Sequence, residues 1–392
     1  MTDPGIPASS RTITADWMRR ALVAGGATEI PALSAIAVED IGTGAGLMGD
    51  VLRCRLTWAE PSAGAPAKVI VKLPSSVPKN LRMSKQQSLY KREYDYYRRV
   101  AEDAPLRSPR LLYGTFEPRS HRFVLVLEDL GHLETGNEIG GATAAQARNA
   151  IRAVARLHGH YWNHVDQPAF SEIFDTGDPK YGPLLQIVYL KNLAPTLSRF
   201  GSFFSSRARA VAEEYGCRVA DHFADLAAGP RTFLHGDYRL ENLFFGSGGE
   251  GGVAAVDWQV SGIGCGLFDA AYFLGGSVDT DVRRAIERDA VREYAEIVRG
   301  TGARAVTFEE CWHLYRSAML IRLLVSVFVC GGLDLSNDRM HRVAEIALTR
   351  TLAAIDDLDA GALIPPRRPA FSAANLFSTA SKYAYRAYRL LR

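Results

Sequence analysis

The sequence predicts an α+β protein of two lobes, a small sheet lobe followed by a larger, mainly helical one. Three observations carry this expectation. Short apolar runs at 36–41, 51–56, 69–73 and 123–127 read as strands, with one stretch of helical periodicity, 84–102, among them. A polar connector follows at 128–136. Beyond it helical patterning dominates, broken by two short strand-like runs, Phe233-Leu234 and 253–256. The expected division is therefore 1–127, a connector at 128–136, and 137–392.

Taken in order, residues 1–10 read as a loose polar tail. Thr14 caps a short helix through Leu22, with Trp17 and Leu22 on its buried side. The run Gly42-Thr-Gly-Ala-Gly46 lies between two strands rather than between a strand and a helix, which argues against a Rossmann or Walker loop. It reads either as an ordinary hairpin turn or as a loop whose bare backbone amides approach phosphates, and its place ahead of Lys72 favours the second. Residues 61–67 form a turn, and 246–252 a glycine-rich hairpin loop. In the strand 69–73, Lys72 is a cation among apolar neighbours and needs a partner. Glu93 supplies one: with Leu89, Tyr96, Tyr97 and Val100 it shares a helical face, as the single acid on a core-directed stripe.

The chemistry concentrates in Phe233-Leu-His-Gly-Asp-Tyr-Arg-Leu-Glu-Asn-Leu-Phe-Phe245 and Val256-Asp-Trp258. Asn242 stands five residues after Asp237, and Asp257 fifteen beyond that. One carboxylate to take the proton of an attacking hydroxyl, an amide and a second carboxylate to hold magnesium, and a lysine–glutamate pair on the phosphates form the set a phosphotransferase of the kinase type uses.

These residues resemble the aminoglycoside phosphotransferase, choline kinase and ecdysteroid kinase-like superfamily of small-molecule kinases. The likeness runs over nearly the whole chain, from about Thr14 to about Arg350, and includes Leu127-Glu-Asp-Leu130 and Ala155-Arg-Leu-His-Gly-His-Tyr-Trp162. It implies a bilobal protein-kinase-like fold with an antiparallel sheet in the first lobe, and ATP and Mg2+ as cofactors. Carried over, Asp237 resembles the catalytic base and Arg239 a phosphate-contacting cation. Asn242 and Asp257 resemble the magnesium ligands. Gly42, Gly44, Gly46, Lys72 and Glu93 belong to the nucleotide's phosphates, Glu128, Asp129 and Leu130 to the interlobe hinge, and Phe244 to the adenine. His235 resembles the histidine that braces the catalytic loop, and Asp269 an acid that ties the loops together. Arg239 departs from the tryptophan expected in many ecdysteroid kinase-like members, and Asp-Trp-Gln from the Asp-Phe-Gly of protein kinases. The short interval between Asp257 and Asp269 leaves no room for a long activation loop.

The expected function is ATP- and magnesium-dependent transfer of a γ-phosphate to the hydroxyl of a small molecule, neutral and partly apolar. An aminoglycoside or choline-type kinase and a non-catalytic ATP-binding relative are the alternatives. The acceptor expectation rests on residues 161–225, which hold Tyr161, Trp162, Phe170, Phe174, Tyr181, Tyr189, Phe200, Phe203 and Phe204 but no dense acidic wall. Core packing is the plain alternative for these rings. A net charge of +3 does not argue for nucleic acid. Five scattered cysteines fit a reducing cytoplasm, and the N-terminus lacks the apolar run of a secretory signal. The most apolar run, 318–330, is broken by Arg322 and is shorter than the roughly 20 residues of a membrane span. His158 and His160 point to different helical faces and cannot share an ion, so His158 reads as a core histidine. The basic segment 373–392 reads as a docked helix or an anionic-surface contact.

Overall fold

The computed structural model describes residues 3–28, 30–42, 48–61, 64–246, 252–303 and 305–366. Gly44, Gly46, most of the 246–252 loop and the basic segment 373–392 lie outside the described residues. The chain divides into two compact units, 1–134 with 254–260, and 135–253 with 261–392.

In the first unit, α1 (Ala15–Ala24) starts at Thr14, whose side chain accepts a hydrogen bond from the Trp17 amide. Strands β1 (Leu33–Asp40), β2 (Gly49–Trp58), β3 (Lys68–Pro74), β4 (Leu111–Glu117) and β5 (Arg122–Glu128) form one antiparallel sheet in the order β1-β2-β3-β5-β4. The sequence pattern hides β4, because Gly114 and Thr115 cut its apolar residues short and leave no clean alternation. The two-residue period of β3 sends Val69, Val71 and Leu73 into a core with Trp17, Met18 and Leu22. Lys72 therefore leaves the opposite face. The expected helix 84–102 is two helices, α2 (Pro78–Gln86) and α3 (Leu89–Arg99). Between them Ser88 takes a left-handed conformation, φ 54°, which no helix can propagate through.

The second unit is mostly helical: α4 (Ala144–Tyr161), α5 (Tyr181–Phe200), α6 (Ser206–Tyr215), α7 (Val219–Ala227), α8 (Leu267–Gly276), α9 (Thr280–Gly300), α10 (Phe308–Gly332) and α11 (Asp338–Asp357). A short antiparallel pair, Thr232–Leu234 with Gly262–Gly264, is set among them. The apolar run 318–330 is part of the longer α10, whose 25 residues are long and apolar enough to cross a membrane by length and composition. In the structure 67% of its apolar window is buried, and it packs on α5, α8, α9 and α11 as the core helix of this unit.

Candidate active site

In the first unit, Lys72 Nζ lies 2.6 Å from Glu93 Oε1 and 2.9 Å from Asp257 Oδ1. Glu93 is brought there by α3, whose Leu89, Glu93, Tyr96 and Tyr97 are all buried. It is not the only buried acid of that helix, because Asp95 is buried too, paired with Lys91. Burial alone would pull the Lys72 ammonium down, but the carboxylates of Asp257 and Glu93 outweigh it and hold it above the ordinary lysine value. Asp257 follows the strand Val253–Ala255, and its φ of 67° puts a residue other than glycine in the left-handed region. The next residue secures that strained turn: Trp258 is fully buried and stacks on Tyr96, ring centroids 3.8 Å apart. Gln259 Nε2 donates to the other oxygen of Asp257 at 3.0 Å.

Because the pair is buried, Lys72→Met and Glu93→Gln will each cost stability, and the double variant will be little worse than either alone. Denaturant melts of the four proteins measure this. We expect a coupling of about 2 kcal/mol, and strictly additive losses would show the two charges to be independent.

In the second unit, the strand Thr232–Leu234 runs into the loop that carries Asp237. Gly236 turns that loop at φ 84°, a conformation glycine adopts without strain. The amides of His235 and Gly236 both donate to Asp269, at 2.7 and 2.9 Å. Asp269 is fully buried in the first turn of α8 and is also 3.2 Å from His158 Nε2. His158 Nδ1 contacts Tyr294 Oη at 2.8 Å, so this histidine is a hydrogen-bonded core residue. His235 Nδ1 accepts from the Asp237 amide at 3.2 Å.

The carboxylate of Asp237 is held at both oxygens. Tyr272 Oη donates to Oδ1 at 2.7 Å. Asn242 Nδ2 donates to Oδ2 at 2.9 Å, with Arg239 Nε at 3.4 Å. Asn242 thus spends its amide nitrogen on Asp237, donating to both its backbone carbonyl and its carboxylate. Arg239 also reaches Glu241 at 2.6 Å, and Glu241 is shared with Arg339.

The remaining candidates are placed as follows. Gly42 donates its amide to Asp40 Oδ1 at 2.9 Å. Glu128 pairs with Arg107 and accepts from the Arg110 amide, each at 3.1 Å. Asp129 pairs with Arg53 at 2.8 Å, and Leu130 is buried. Phe244 is half-buried in the strand Leu243–Phe245. Sequence reasoning missed Tyr272 and Gln259. The only available signal for Tyr272 was a hydroxyl one turn after Asp269 in an otherwise apolar helix.

A model of the phosphotransferase enzyme family matches residues 62–306. Among solved structures, one provisionally named as an aminoglycoside phosphotransferase from Ralstonia eutropha is similar at 15% identity, covering 90% of this chain and 98% of its own, with a TM-score of 0.53. Choline kinase from Cryptosporidium parvum is similar at 10% identity, covering 84% of this chain and 88% of its own, with a TM-score of 0.50. No protein of curated function matches the sequence. The fold shared with these structures is the α+β, protein-kinase-like one.

Proposed function

We infer, since this chain belongs to the phosphotransferase enzyme family, that it is a small-molecule kinase that moves the γ-phosphate of ATP, with magnesium, to a hydroxyl group. The observation that carries the reading is the Asp237 loop. Its backbone is pinned by one buried acid, and its carboxylate is fixed at both oxygens. Such a group can accept the proton of an attacking hydroxyl without first reorganising.

In this reading Asp237 orients and deprotonates the acceptor. Lys72, kept in place by Glu93, neutralises the α- and β-phosphates, and Arg239 adds a second cation. The glycine run is assigned to the phosphates; the Gly42 amide is engaged by Asp40, which leaves that role to Gly44 and Gly46, outside the described residues. Glu128 and Asp129 have their side chains engaged, so the adenine is met by backbone at 128–130, and Phe244 is assigned to its ring. Magnesium suits the donors present: the Asn242 amide oxygen and the Asp257 carboxylate are hard oxygen ligands. Among the described residues there is no cluster of three or more His, Cys, Asp or Glu. When bound, magnesium neutralises charge on the phosphate oxygens. The five cysteines are free thiols, which suits a reaction run in the reducing cytosol.

For the acceptor we keep a neutral, partly apolar alcohol. Tyr161, Trp162, Phe170, Tyr189, Phe200 and Phe204 prove to be buried core and lend it no support. The support comes instead from the cation Arg239 beside the candidate base. A polycationic acceptor would need unpaired acids there. The test is ADP release from magnesium-ATP across a panel of neutral and cationic alcohols. We expect turnover with a neutral, partly apolar alcohol and none with kanamycin-like aminoglycosides. The reverse pattern would remove the acceptor assignment, and failure to bind ATP would remove the kinase reading itself.

A further inference from the structure

We propose that Tyr272 is the positioning residue of the candidate base and that Arg322 in turn holds Tyr272, an inference that rests on the kinase reading of Asp237. The two anchors of the Asp237 loop come from one face of α8. Asp269 takes the loop's amides, and Tyr272, one turn later, takes its carboxylate. The 2.7 Å distance from Tyr272 Oη to Asp237 Oδ1 lies close to the range of a charge-assisted hydrogen bond. Burial pushes the Tyr272 phenol above its ordinary value and the Asp237 charge pushes it further, so the hydroxyl stays a donor.

Arg322 accounts for the ring. It is 5% exposed and has no carboxylate partner among the described residues. Its guanidinium carbon lies 4.6 Å from the Tyr272 ring centroid, and Nη1 donates to Ser326 Oγ at 3.0 Å, while Nε has no hydrogen-bond partner. A desolvated cation of this kind is stabilised by the negative face of an aromatic ring and in exchange restricts how that ring turns. The helix is shaped for it: a Cβ on Gly276 would lie 2.5 Å from Arg322 Nη2. This gives a purpose to the one charge that interrupts the apolar run of α10. The guanidinium fixes the phenol, the phenol fixes Oδ1, and the carboxylate is presented in a single orientation.

The test is Tyr272→Phe in the full chain, which removes one oxygen and keeps the ring. With magnesium-ATP and a neutral alcohol from the panel, we expect kcat to fall about tenfold with KM for ATP unchanged. Adding Tyr272→Phe to Asp237→Asn will cause no further loss, because the two residues act as one unit. A wild-type kcat, or an equal loss in the Asp237→Asn background, would overturn the proposal. Crystal structures of the two proteins give a readout independent of turnover. The Asp237 side chain will leave its single rotamer in the variant while the loop backbone stays; an unchanged rotamer would also overturn the proposal. Should Asp237→Asn itself turn over at the wild-type rate, the assignment of Asp237 as the base falls while the kinase reading stands, and the crystal comparison still decides what Tyr272 does.

Discussion

Asp237→Asn will lower phosphoryl transfer by about 10²–10⁴-fold and leave ATP binding nearly unchanged. The substitution keeps the shape of the side chain and removes its capacity to take a proton. It also disturbs the hydrogen bonding, because one oxygen that accepts from Tyr272 or from Asn242 becomes an amide donor. The nucleotide contacts proposed for Lys72 lie elsewhere in the chain, and Arg239 keeps its closer bond to Glu241 at 2.6 Å, so affinity for ATP is expected to survive. Calorimetric titration with ATP and measurement of ADP release separate the two effects. A purified variant that keeps more than about half of wild-type turnover would show that Asp237 is not the base.

The largest structural effect is expected at Asp269. Its carboxylate is fully buried and accepts from the His235 and Gly236 amides and from His158. Asp269→Ala leaves those donors without an acceptor in a place water does not reach, at a cost of roughly 3–5 kcal/mol. Asp269→Asn keeps one acceptor oxygen but turns an N–H toward a donor at the other, so it will lie between the two. Chemical denaturation of the three proteins measures the order. A loss below about 1 kcal/mol for the alanine variant would show that the loop is supported mainly by other contacts.

What could be read in the sequence was whatever had a local signature. The strands β1, β2, β3 and β5 alternate or run apolar, and Thr14 announces its helix; each lies within a few residues of its expected place. The Lys72–Glu93 contact was legible because Lys72 stood among apolar neighbours in its strand and Glu93 on an apolar helical face, and a buried charge needs a partner. Other features had no local signature. The break at Ser88 depends on one backbone angle. Tyr272 carries its hydroxyl on a ring that looks apolar in any periodicity count. Rings between 161 and 225 could not be sorted into core and surface from their identity, since Tyr189 packs on Tyr215 and Phe200 on His341, both distant in sequence. For the same reason Lys72 gained a second partner, Asp257, that no helical or strand period connects to it.

The first unit is discontinuous in the chain, and this has a consequence for biosynthesis. Its last piece, 254–260, contributes Trp258 to the stack on Tyr96 and Asp257 to the Lys72 cluster. A ribosome adding about 5–20 residues per second needs roughly 6–24 s to travel from the end of the first piece to the start of the second. Throughout that interval the five-stranded sheet is complete in sequence, while the face of α3 that will receive Trp258 still lacks its cover. The nascent amino-terminal part thus waits for Trp258 with the ring of Tyr96 uncovered, a transient apolar exposure of the kind that favours aggregation before folding is complete.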